Sequence, residues 1–476
     1  MIGPVRLANP RRVCLLVDHP FRDLQGLILL AHQLVRRGAV VFLVSMHEFQ
    51  EVYLLKPDLV VLNYVKAPYA PLLEILSRLG IGIAVLDTEG VVLDANAYAE
   101  NVSRYLDKVD LYCVWGLKQF EAMVGHQADH RVDLRMTGCP RYDFAVQPWR
   151  SALKRINGVS GKMILVNTNF PLINPRFQSA QREAADQVKV GRRSEEFVQQ
   201  RALQSHVALQ GILTVTRDLS HAFPEVSFVL RPHPFEDRAL YDAAFAGLPN
   251  LSVRQDGTVF EWINHAVAVI HHNCQTAVEA AMMGVEPLHL AWLPTPQLAF
   301  HIPMSVSRHP GSFQELGETV RRLLAGDALD GSAALKEGRM RVIGDWFYKS
   351  DGKSSERVAD AVLQVLDRRG ASQESGGRLS VMMKLLWGRG SVRKSFQMML
   401  ILALGGEAYR ILRRRLTADR RSKEKSFGVE EVQHSLRRLD ASLGGDSHVQ
   451  ARQVHGRDVY LRVPGSYTSV RVANDL

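Results

Sequence analysis

Short apolar runs alternate with helix-patterned segments through the first third of the chain, and this alternation restricts the possible folds more than any other feature. Strand-length apolar runs, typical of strands buried on both faces, occupy residues 13–17, 40–44, 59–62, 83–86 and 111–115. Segments with helical spacing lie between them, as at 27–36 and 72–79. Since strands that alternate with helices are joined by right-handed crossovers, the pattern predicts a parallel sheet covered by helices on both faces.

The same alternation begins again after a break at Pro140 and Pro148. It predicts one long helix over 195–223 and further strands at 163–166, 228–230, 267–270 and 287–290. A chain of 476 residues is expected to form two or three domains, at roughly 100–200 residues each. We therefore predict an α/β fold of two Rossmann-like, doubly wound domains, residues 1–150 and 151–370, followed by a basic, mainly helical tail over 371–476.

Basic charge is concentrated in that tail, which has 19 Lys and Arg against 10 Asp and Glu, while the first 370 residues are almost neutral. A nucleic-acid enzyme would carry basic charge beside its catalytic domains, so nucleic acid is disfavoured as a partner. Residues 381–415 mix apolar and basic side chains, as in amphipathic helices on an anionic membrane surface. Packing of this segment on the catalytic domains or on a partner protein is the alternative.

The four cysteines have no metal-binding spacing and three lie in or beside apolar segments, which indicates reduced core residues. No signal peptide is visible and no apolar stretch reaches the roughly 18–20 residues that span a bilayer. These features predict a cytoplasmic protein, with the tail as a means of peripheral binding to the inner face of the cell membrane.

Polar residues that follow the predicted strands are the candidates for chemistry, because ligands of parallel α/β sheets bind beyond the carboxyl ends of the strands. The first cluster contains Asp18, Arg22 and Asp23. It lacks the glycine pattern of dinucleotide-binding loops, which disfavours NAD and FAD. We predict that these side chains hold an acceptor sugar; a solvated loop with an Asp helix cap is the alternative.

The second cluster is Asp87-Thr88-Glu89-Gly90, after the strand at 83–86. A carboxylate at a strand end, beside a glycine that lets a ligand approach, suits a general base. An inverting sugar transfer needs such a base to take the proton from the acceptor hydroxyl. The alternative is an ordinary turn, in which Asp and Gly are common.

The third cluster is Arg231-Pro232-His233-Pro234, after the strand at 228–230. Its two prolines make the loop rigid and disfavour an immediate helix. Arg231 and His233 are then paired donors that can neutralise the phosphate of a nucleotide leaving group, a task that Mg²⁺ performs in other enzymes.

The fourth cluster is His271 to Thr276, where a strand, a polar turn and the start of a helix come in succession. Free backbone N–H groups there predict an anion site, to which Asn273, Gln275 and Thr276 add side-chain donors. Zinc is disfavoured, because adjacent histidines on a strand point in opposite directions.

These clusters, in this order, resemble the bacterial surface-carbohydrate (capsule and polysaccharide) biosynthesis proteins. They are more distantly similar to sialyl- and Kdo-type transferases and to CDP-glycerol glycerophosphotransferases. The matching motifs are an acidic D/E-D/E-G, an HP, a Ser/Thr-rich phosphate motif, a T-G-x-P-R-x-D and an E-A-x-x-x-G-x-P. In this chain they correspond to residues 87–90, 233–234, 273–276, 137–143 and 279–287, the last with one additional residue before Pro287.

The resemblance implies a GT-B glycosyltransferase, with two Rossmann-like domains facing a cleft and with no metal or cofactor. It implies that Glu89 or Asp87 is the base and that Arg231 and His233 stabilise the leaving phosphate. It further implies that the turn from His272 to Thr276 holds the phosphate and that Glu279 contacts a ribose. The expected partners are a nucleotide-activated sugar donor, such as a CMP-linked one, and a surface polysaccharide or lipid-linked acceptor.

Two other enzyme classes share this architecture, the sugar-nucleotide 2-epimerases and the CDP-glycerol glycerophosphotransferases. An epimerase would turn over its nucleotide sugar without any acceptor. The non-enzymatic alternative is a scaffold that organises polysaccharide assembly through its tail. Cys274 and Gln275 stand where the related motif has serines. Because of this difference, the scaffold stays an alternative to the enzyme.

Overall fold

The computed structural model describes two compact units. One comprises residues 1–152 together with 344–476, and the other comprises residues 153–343. The described residues are 11–370, 427–445, 449–453 and 469–474, apart from short gaps at 47–48, 50–51, 53–54, 56, 92–93, 128–131, 192, 294–295 and 299–300.

The first unit begins with six strands that pair in parallel. They are Arg12–Val17 (β1), Val40–Ser45 (β2), Leu59–Leu62 (β3), Gly82–Leu86 (β4), Leu111–Val114 (β5) and Asp133–Met136 (β6). The helices among them are Gln25–Arg36 (α1), Ala70–Arg78 (α2), Ala95–Ser103 (α3) and Leu117–Gln127 (α4). The order in the sheet is β2-β1-β3-β4-β5-β6. Strand β2 is added on one side of β1 and the later strands on the other side, so the order of strand addition reverses between β1 and β3.

The second unit contains a parallel sheet of its own. Its strands are Met163–Asn167 (β7), Ser227–Arg231 (β8), Leu251–Val253 (β9), Ala266–His271 (β10) and Glu286–His289 (β11). Their order is β11-β10-β7-β8-β9, so the order of strand addition reverses between β7 and β10. The apolar runs that predicted these strands are buried, as expected for strands covered on both faces.

The second unit contains the predicted long helix together with shorter ones, the last of which ends beyond residue 343 in the first unit. They are Ala180–Gly191 (α5), Glu195–Ala222 (α6), Ala239–Ala244 (α7), Val259–Ile263 (α8), Thr276–Met282 (α9), His301–Val306 (α10), Phe313–Ala325 (α11) and Ala333–Phe347 (α12). Ser194 caps α6 by accepting a hydrogen bond from the backbone N–H of Phe197. Two parallel sheets with their helices confirm the predicted α/β fold of two Rossmann-like units.

The chain returns to the first unit from Gly344, whereas the sequence division kept residues up to 370 with the second. The cause is the helix Ser354–Arg369 (α13), whose first turn is capped by a buried carboxylate of the first unit. Asp143 accepts hydrogen bonds from the backbone N–H groups of Ser354 (2.9 Å) and Ser355 (2.7 Å). At the other end of α13, Arg369 forms an ion pair with Asp110.

Further along, the tail contributes one helix and two strands to the first unit. They are Val429–Ser442 (α14), Val449–Gln453 (β12) and Ser469–Asn474 (β13). Strand β13 pairs antiparallel with the edge strand β2, and His32 of α1 contacts Asp440 of α14 at 2.8 Å. The proposed membrane segment, 381–415, lies outside the described residues. Among the described helices, none combines the length and apolarity needed to cross a bilayer.

Candidate functional site

Each sheet has a topological switch point, where the connections that leave two neighbouring strands run to opposite sides. Ligands of such sheets bind at that point, outside the carboxyl ends of the strands. In the first unit, a cavity of about 30 Å³ lies at this point, beyond β1, β3 and β4. Its polar lining comprises Asp23, Asn63, Asp87, Thr88 and Arg141. The cavity therefore gathers one member of the first predicted cluster and two of the second.

Asp87 is a buried carboxylate, 2% exposed, at the end of β4. Its Oδ1 accepts a hydrogen bond from the backbone N–H of Glu89 (3.0 Å), and its Oδ2 accepts one from the hydroxyl of Tyr112 (2.7 Å). Burial raises the pKa of Asp87 to about 6, although both hydrogen bonds act to lower it. A carboxylate has about four lone-pair positions, so two bonds leave room for a proton from a substrate.

Glu89 lies in a different environment. Its side chain is 57% exposed, and its carboxylate is 3.7 Å from the ammonium of Lys66. Of the two carboxylates predicted as the base, Asp87 lines the cavity and has the raised pKa. The hydrogen bond from the backbone N–H of Glu89 to Asp87 is the one typical of an Asx turn. The turn that the sequence offered as the alternative is therefore present, and it contains the candidate base.

Gly90 makes room for a neighbouring side chain, a role that the sequence interpretation did not foresee. A Cβ atom at Gly90 would lie 2.0 Å from the indole ring of Trp115. Trp115 is fully buried and its Nε1–H donates a hydrogen bond to the carbonyl oxygen of Asp87 (2.7 Å). The glycine thus makes room for the ring that fixes the backbone of the candidate base.

We expect Gly90→Ala to displace Trp115 and to destabilise the protein by about 1–3 kcal/mol, because an added methyl group overpacks a filled site. Denaturant unfolding measures the change. Gly125→Ala is the matched control, since a Cβ atom there meets nothing within 4 Å on the surface of α4. Equal stability of the two variants would contradict this account of Gly90.

Asp18, Arg22 and Asp23, the predicted acceptor-binding residues, bind one another. The guanidinium of Arg22 donates to Asp23 (2.7 Å) and to Asp18 (2.8 Å), and the backbone N–H of His19 donates to Asp23 (3.0 Å). Burial alone would lower the pKa of Arg22, but the charge of Asp23 and the hydrogen bond to it raise the pKa above its ordinary value. Of the three, Asp23 lines the cavity.

Asn63 and Arg141 line the cavity although the sequence interpretation did not select them. Asn63 directly follows β3, so the rule that picked the other clusters, polar residues after strands, would have found it. Arg141 is part of the motif at 137–143, and its guanidinium lies over the rings of Trp115 (4.9 Å) and Tyr142 (4.8 Å). That packing joins residues 115 and 141–142, two segments that no local pattern connects.

Arg231, in the second unit, turns toward the loop after β9. Its guanidinium donates hydrogen bonds to the carbonyl oxygens of Asp256 and Gly257 and lies 5.3 Å from the ring centre of Trp262. Burial lowers the pKa of Arg231 to about 10, so it stays charged at neutral pH. Arg231 thus orders the loop at 254–257, and its role at a phosphate stays a prediction.

His233 is held by Glu236, a buried residue that the sequence interpretation missed. Glu236 accepts hydrogen bonds from the backbone N–H of His233 (2.9 Å), from the hydroxyl of Thr168 (3.0 Å) and from the hydroxyl of Tyr241. The Nδ1 of His233 accepts the backbone N–H of Phe235 (3.2 Å), which places the proton of the neutral ring on Nε2. His233 is thereby prepared as a donor through Nε2.

The turn after β10 lies at the topological switch point of the second sheet. Asn273 adopts a left-handed backbone conformation (φ 69°), which Asn tolerates better than most residues. Thr276 accepts a hydrogen bond from Asn167 at the end of β7 (2.8 Å) and donates to the sulfur of Cys274 (3.1 Å). Its hydroxyl therefore holds the turn between two strands, and Gln275 precedes the first residue of α9.

His272 and Glu279 are both buried, each 6% exposed. The ring of His272 stacks on His289 with 5.4 Å between ring centres, and burial lowers the pKa of His272 to about 4. At neutral pH this imidazole is uncharged and offers a phosphate a hydrogen bond but no positive charge. The adjacent His271 contacts the hydroxyl of Ser307 at 2.8 Å. In the part of the chain that the structure describes, no three His, Cys, Asp or Glu residues are grouped to hold a metal ion.

Comparison with known proteins found no matching family model and no matching curated protein. Solved structures with a similar chain path include the UDP-GlcNAc 2-epimerase of Methanocaldococcus jannaschii in complex with UDP-GlcNAc and UDP, at 12% identity and a TM-score of 0.45 over 74% of this chain and 99% of that one. The wall teichoic acid polymerase TagF matches at 10% identity and a TM-score of 0.45 over 75% and 89% of the two chains. The glycotransferase of kitacinnamycin matches at 14% identity and a TM-score of 0.41, over 75% of this chain and 100% of that one. Likenesses this weak carry no argument about function.

Proposed function

We propose that this chain is a metal-independent glycosyltransferase that moves a sugar from a nucleotide-activated donor to a hydroxyl group of a surface polysaccharide or lipid-linked acceptor. The observation that carries the proposal is Asp87, a buried carboxylate with a raised pKa in a cavity beyond the carboxyl ends of the strands of the first sheet. A base with a pKa near the working pH combines a useful fraction of the charged form with a strong tendency to accept a proton.

The second unit would bind the nucleotide. Its polar turns after β8 and β10 follow the carboxyl ends of strands, where parallel sheets bind ligands. His233, held by Glu236, is a hydrogen-bond donor suited to a phosphate oxygen. Charge from Arg231 adds favourable electrostatics for a leaving phosphate, which develops negative charge as the glycosidic bond to it breaks.

Tyr112→Phe tests the base through its pH dependence. The Tyr112 hydroxyl donates to the Asp87 carboxylate and stabilises its charged form. Removing this bond raises the pKa of Asp87 further, so we expect the acid limb of the kcat/KM profile to move up by about one pH unit. In the native enzyme that limb should lie near pH 6, with activity rising as the pH increases through it. An unchanged limb in the variant would exclude Asp87 as the titrating group.

The reaction itself is tested with purified full-length protein. A thermal-shift panel of CMP, CDP, UDP, GDP and dTDP, with and without Mg²⁺, identifies the nucleotide, and the matching sugar donors are then incubated with alcohol acceptors. We expect nucleotide release that depends on the acceptor and persists in EDTA. Inversion at C2 of the donor sugar without an acceptor would identify an epimerase instead, and the absence of nucleotide binding would favour the scaffold.

The localisation that accompanies this proposal is cytoplasmic, with residues 381–415 binding the anionic inner face of the membrane. Reversing the charge of Arg413, Arg414 and Arg415 to Glu should reduce sedimentation with phosphatidylglycerol vesicles at least tenfold, since each basic residue near such a surface contributes about 1 kcal/mol. Arg437→Glu on the exposed face of α14 is the control. Undiminished binding by the triple variant would place the membrane contact elsewhere.

A further inference from the structure

Two polar atoms in the wall of the first unit's cavity have no hydrogen-bond partner among the described residues. They are Oδ1 of Asn63 and Oγ1 of Thr88, in side chains that are 3% and 7% exposed. The backbone N–H of Thr88 donates to the carbonyl oxygen of Asn63 (3.0 Å), so the two residues are fixed next to each other. Buried polar groups are normally paired with protein, water or a ligand, so two such atoms beside one cavity indicate a place for a polar molecule.

The chemistry of these atoms selects the ligand group. Oδ1 of Asn63 and the carboxylate of Asp87 are acceptors, whereas the hydroxyl of Thr88 both donates and accepts. An alcohol hydroxyl matches this set, because it donates one hydrogen bond and accepts others. A phosphate or carboxylate matches poorly beside Asn63 and Asp87, because its oxygens would lie against these acceptors without a proton between them. Among the described residues, the one cation of the cavity wall, Arg141, packs over the rings of Trp115 and Tyr142.

The size of the cavity further restricts which alcohols can bind. It measures about 30 Å³, and a site needs roughly 10–15 Å³ in this measure for one water molecule. About two non-hydrogen atoms therefore fit in its innermost part, as in a CH₂–OH group whose neighbouring atoms extend toward the open side. A secondary hydroxyl on a sugar ring would bring two further ring carbons with it. Apolar walls from Leu16, Val61 and Leu62 suit a methylene group.

We infer that this cavity binds a primary alcohol, the terminal hydroxymethyl group of the acceptor, and that Asn63 and Thr88 orient it toward Asp87. The inference rests on the proposed function and names its acceptor class. In the reaction the hydroxymethyl oxygen forms a bond to the anomeric carbon of the donor and its proton passes to Asp87. The bond from that carbon to the phosphate oxygen breaks, and the nucleotide leaves with the electron pair.

Paired acceptors test the inference in the full-length enzyme, with the donor found by the nucleotide panel. Methyl glucoside and its 6-deoxy analogue differ only in the primary hydroxyl, and NMR of the product gives the linkage. We expect a 6-linked product and at least tenfold less transfer to the 6-deoxy compound. Equal use of the two acceptors, or a linkage to a ring hydroxyl, would overturn the inference while leaving glycosyl transfer intact. Absence of transfer to every alcohol would instead remove the proposed function and the inference with it.

Thr88→Val separates an orienting role from a structural one, because it removes the hydroxyl and keeps the shape of the side chain. We expect kcat/KM for methyl glucoside to fall about tenfold, with nucleotide binding unchanged and a melting temperature equal to or above that of the native protein. A lower melting temperature with unchanged kcat/KM would show that the hydroxyl serves the fold, and would overturn its assignment to the acceptor. Thr319→Val on α11 of the second unit is the matched control and should change neither quantity.

Discussion

Replacing Asp87 with Asn should reduce kcat by about 10²–10⁴-fold, the usual contribution of a general base. The amide keeps the size of the side chain and its acceptor for the backbone N–H of Glu89, but it cannot take a proton. The nucleotide-induced thermal shift should be unchanged, because the proposed nucleotide contacts belong to the second unit. Single-turnover measurements with the identified donor and acceptor separate the chemical step from binding.

Glu89→Gln is the control, since it alters the neighbouring carboxylate, which is 57% exposed and lies near Lys66. We expect at most a few-fold change in kcat for this variant. A large loss in Glu89→Gln together with near-native activity in Asp87→Asn would reverse the assignment of the base and return it to the more exposed carboxylate of the motif.

Asp143→Ala should destabilise the first unit by about 2–4 kcal/mol. The substitution removes both acceptors for the backbone N–H groups of Ser354 and Ser355 at the start of α13. Loss of a helix cap costs about 0.5–2 kcal/mol, and burial of the donors that remain unpaired adds to that cost. Chemical denaturation measures the free energy, and hydrogen exchange in α13 shows whether this helix opens first.

Asp360→Ala is the matched control on the same helix. Its carboxylate is 56% exposed and contacts Arg37 at 3.1 Å, an arrangement that contributes little to stability. We expect a change within about 0.5 kcal/mol. Equal destabilisation by the two substitutions would mean that the cap does not hold residues 354–369 to the first unit.

The packing of Arg231 makes Arg231→Ala a poor variant for distinguishing an enzyme from a scaffold. Because Arg231 orders the loop at 254–257 through two carbonyl oxygens, Arg231→Ala disturbs that loop as well as any phosphate contact. His233→Gln keeps a donor and an acceptor and leaves the Glu236 bond to the backbone intact. It therefore probes the imidazole with less disturbance to the fold.

Local sequence patterns determined the parallel strands of both units but not the return of residues 344–476 to the first unit. Continuous apolar runs became buried parallel strands, and the predicted helix at 195–223 became α6, Glu195–Ala222. The rule that polar residues after strands bind ligands located Asp87 and Asp23 at the cavity. The strand and helix predictions succeeded because burial of apolar side chains follows the periodicity of each element, and that periodicity is visible in neighbouring residues. The roles of Asp87 and Asp23 stay predictions.

Tertiary structure alone decided the roles of residues whose partners are distant in sequence. Gly90 makes room for Trp115, and Asp143 holds a helix that starts more than 200 residues later. The choice between Asp87 and Glu89 also depends on burial, since both are carboxylates in one short turn and only the packing around them differs. The physical reason is the same in each case. Desolvation and close packing depend on which distant segments come into contact in the fold, and the sequence of one segment does not show which segments those are.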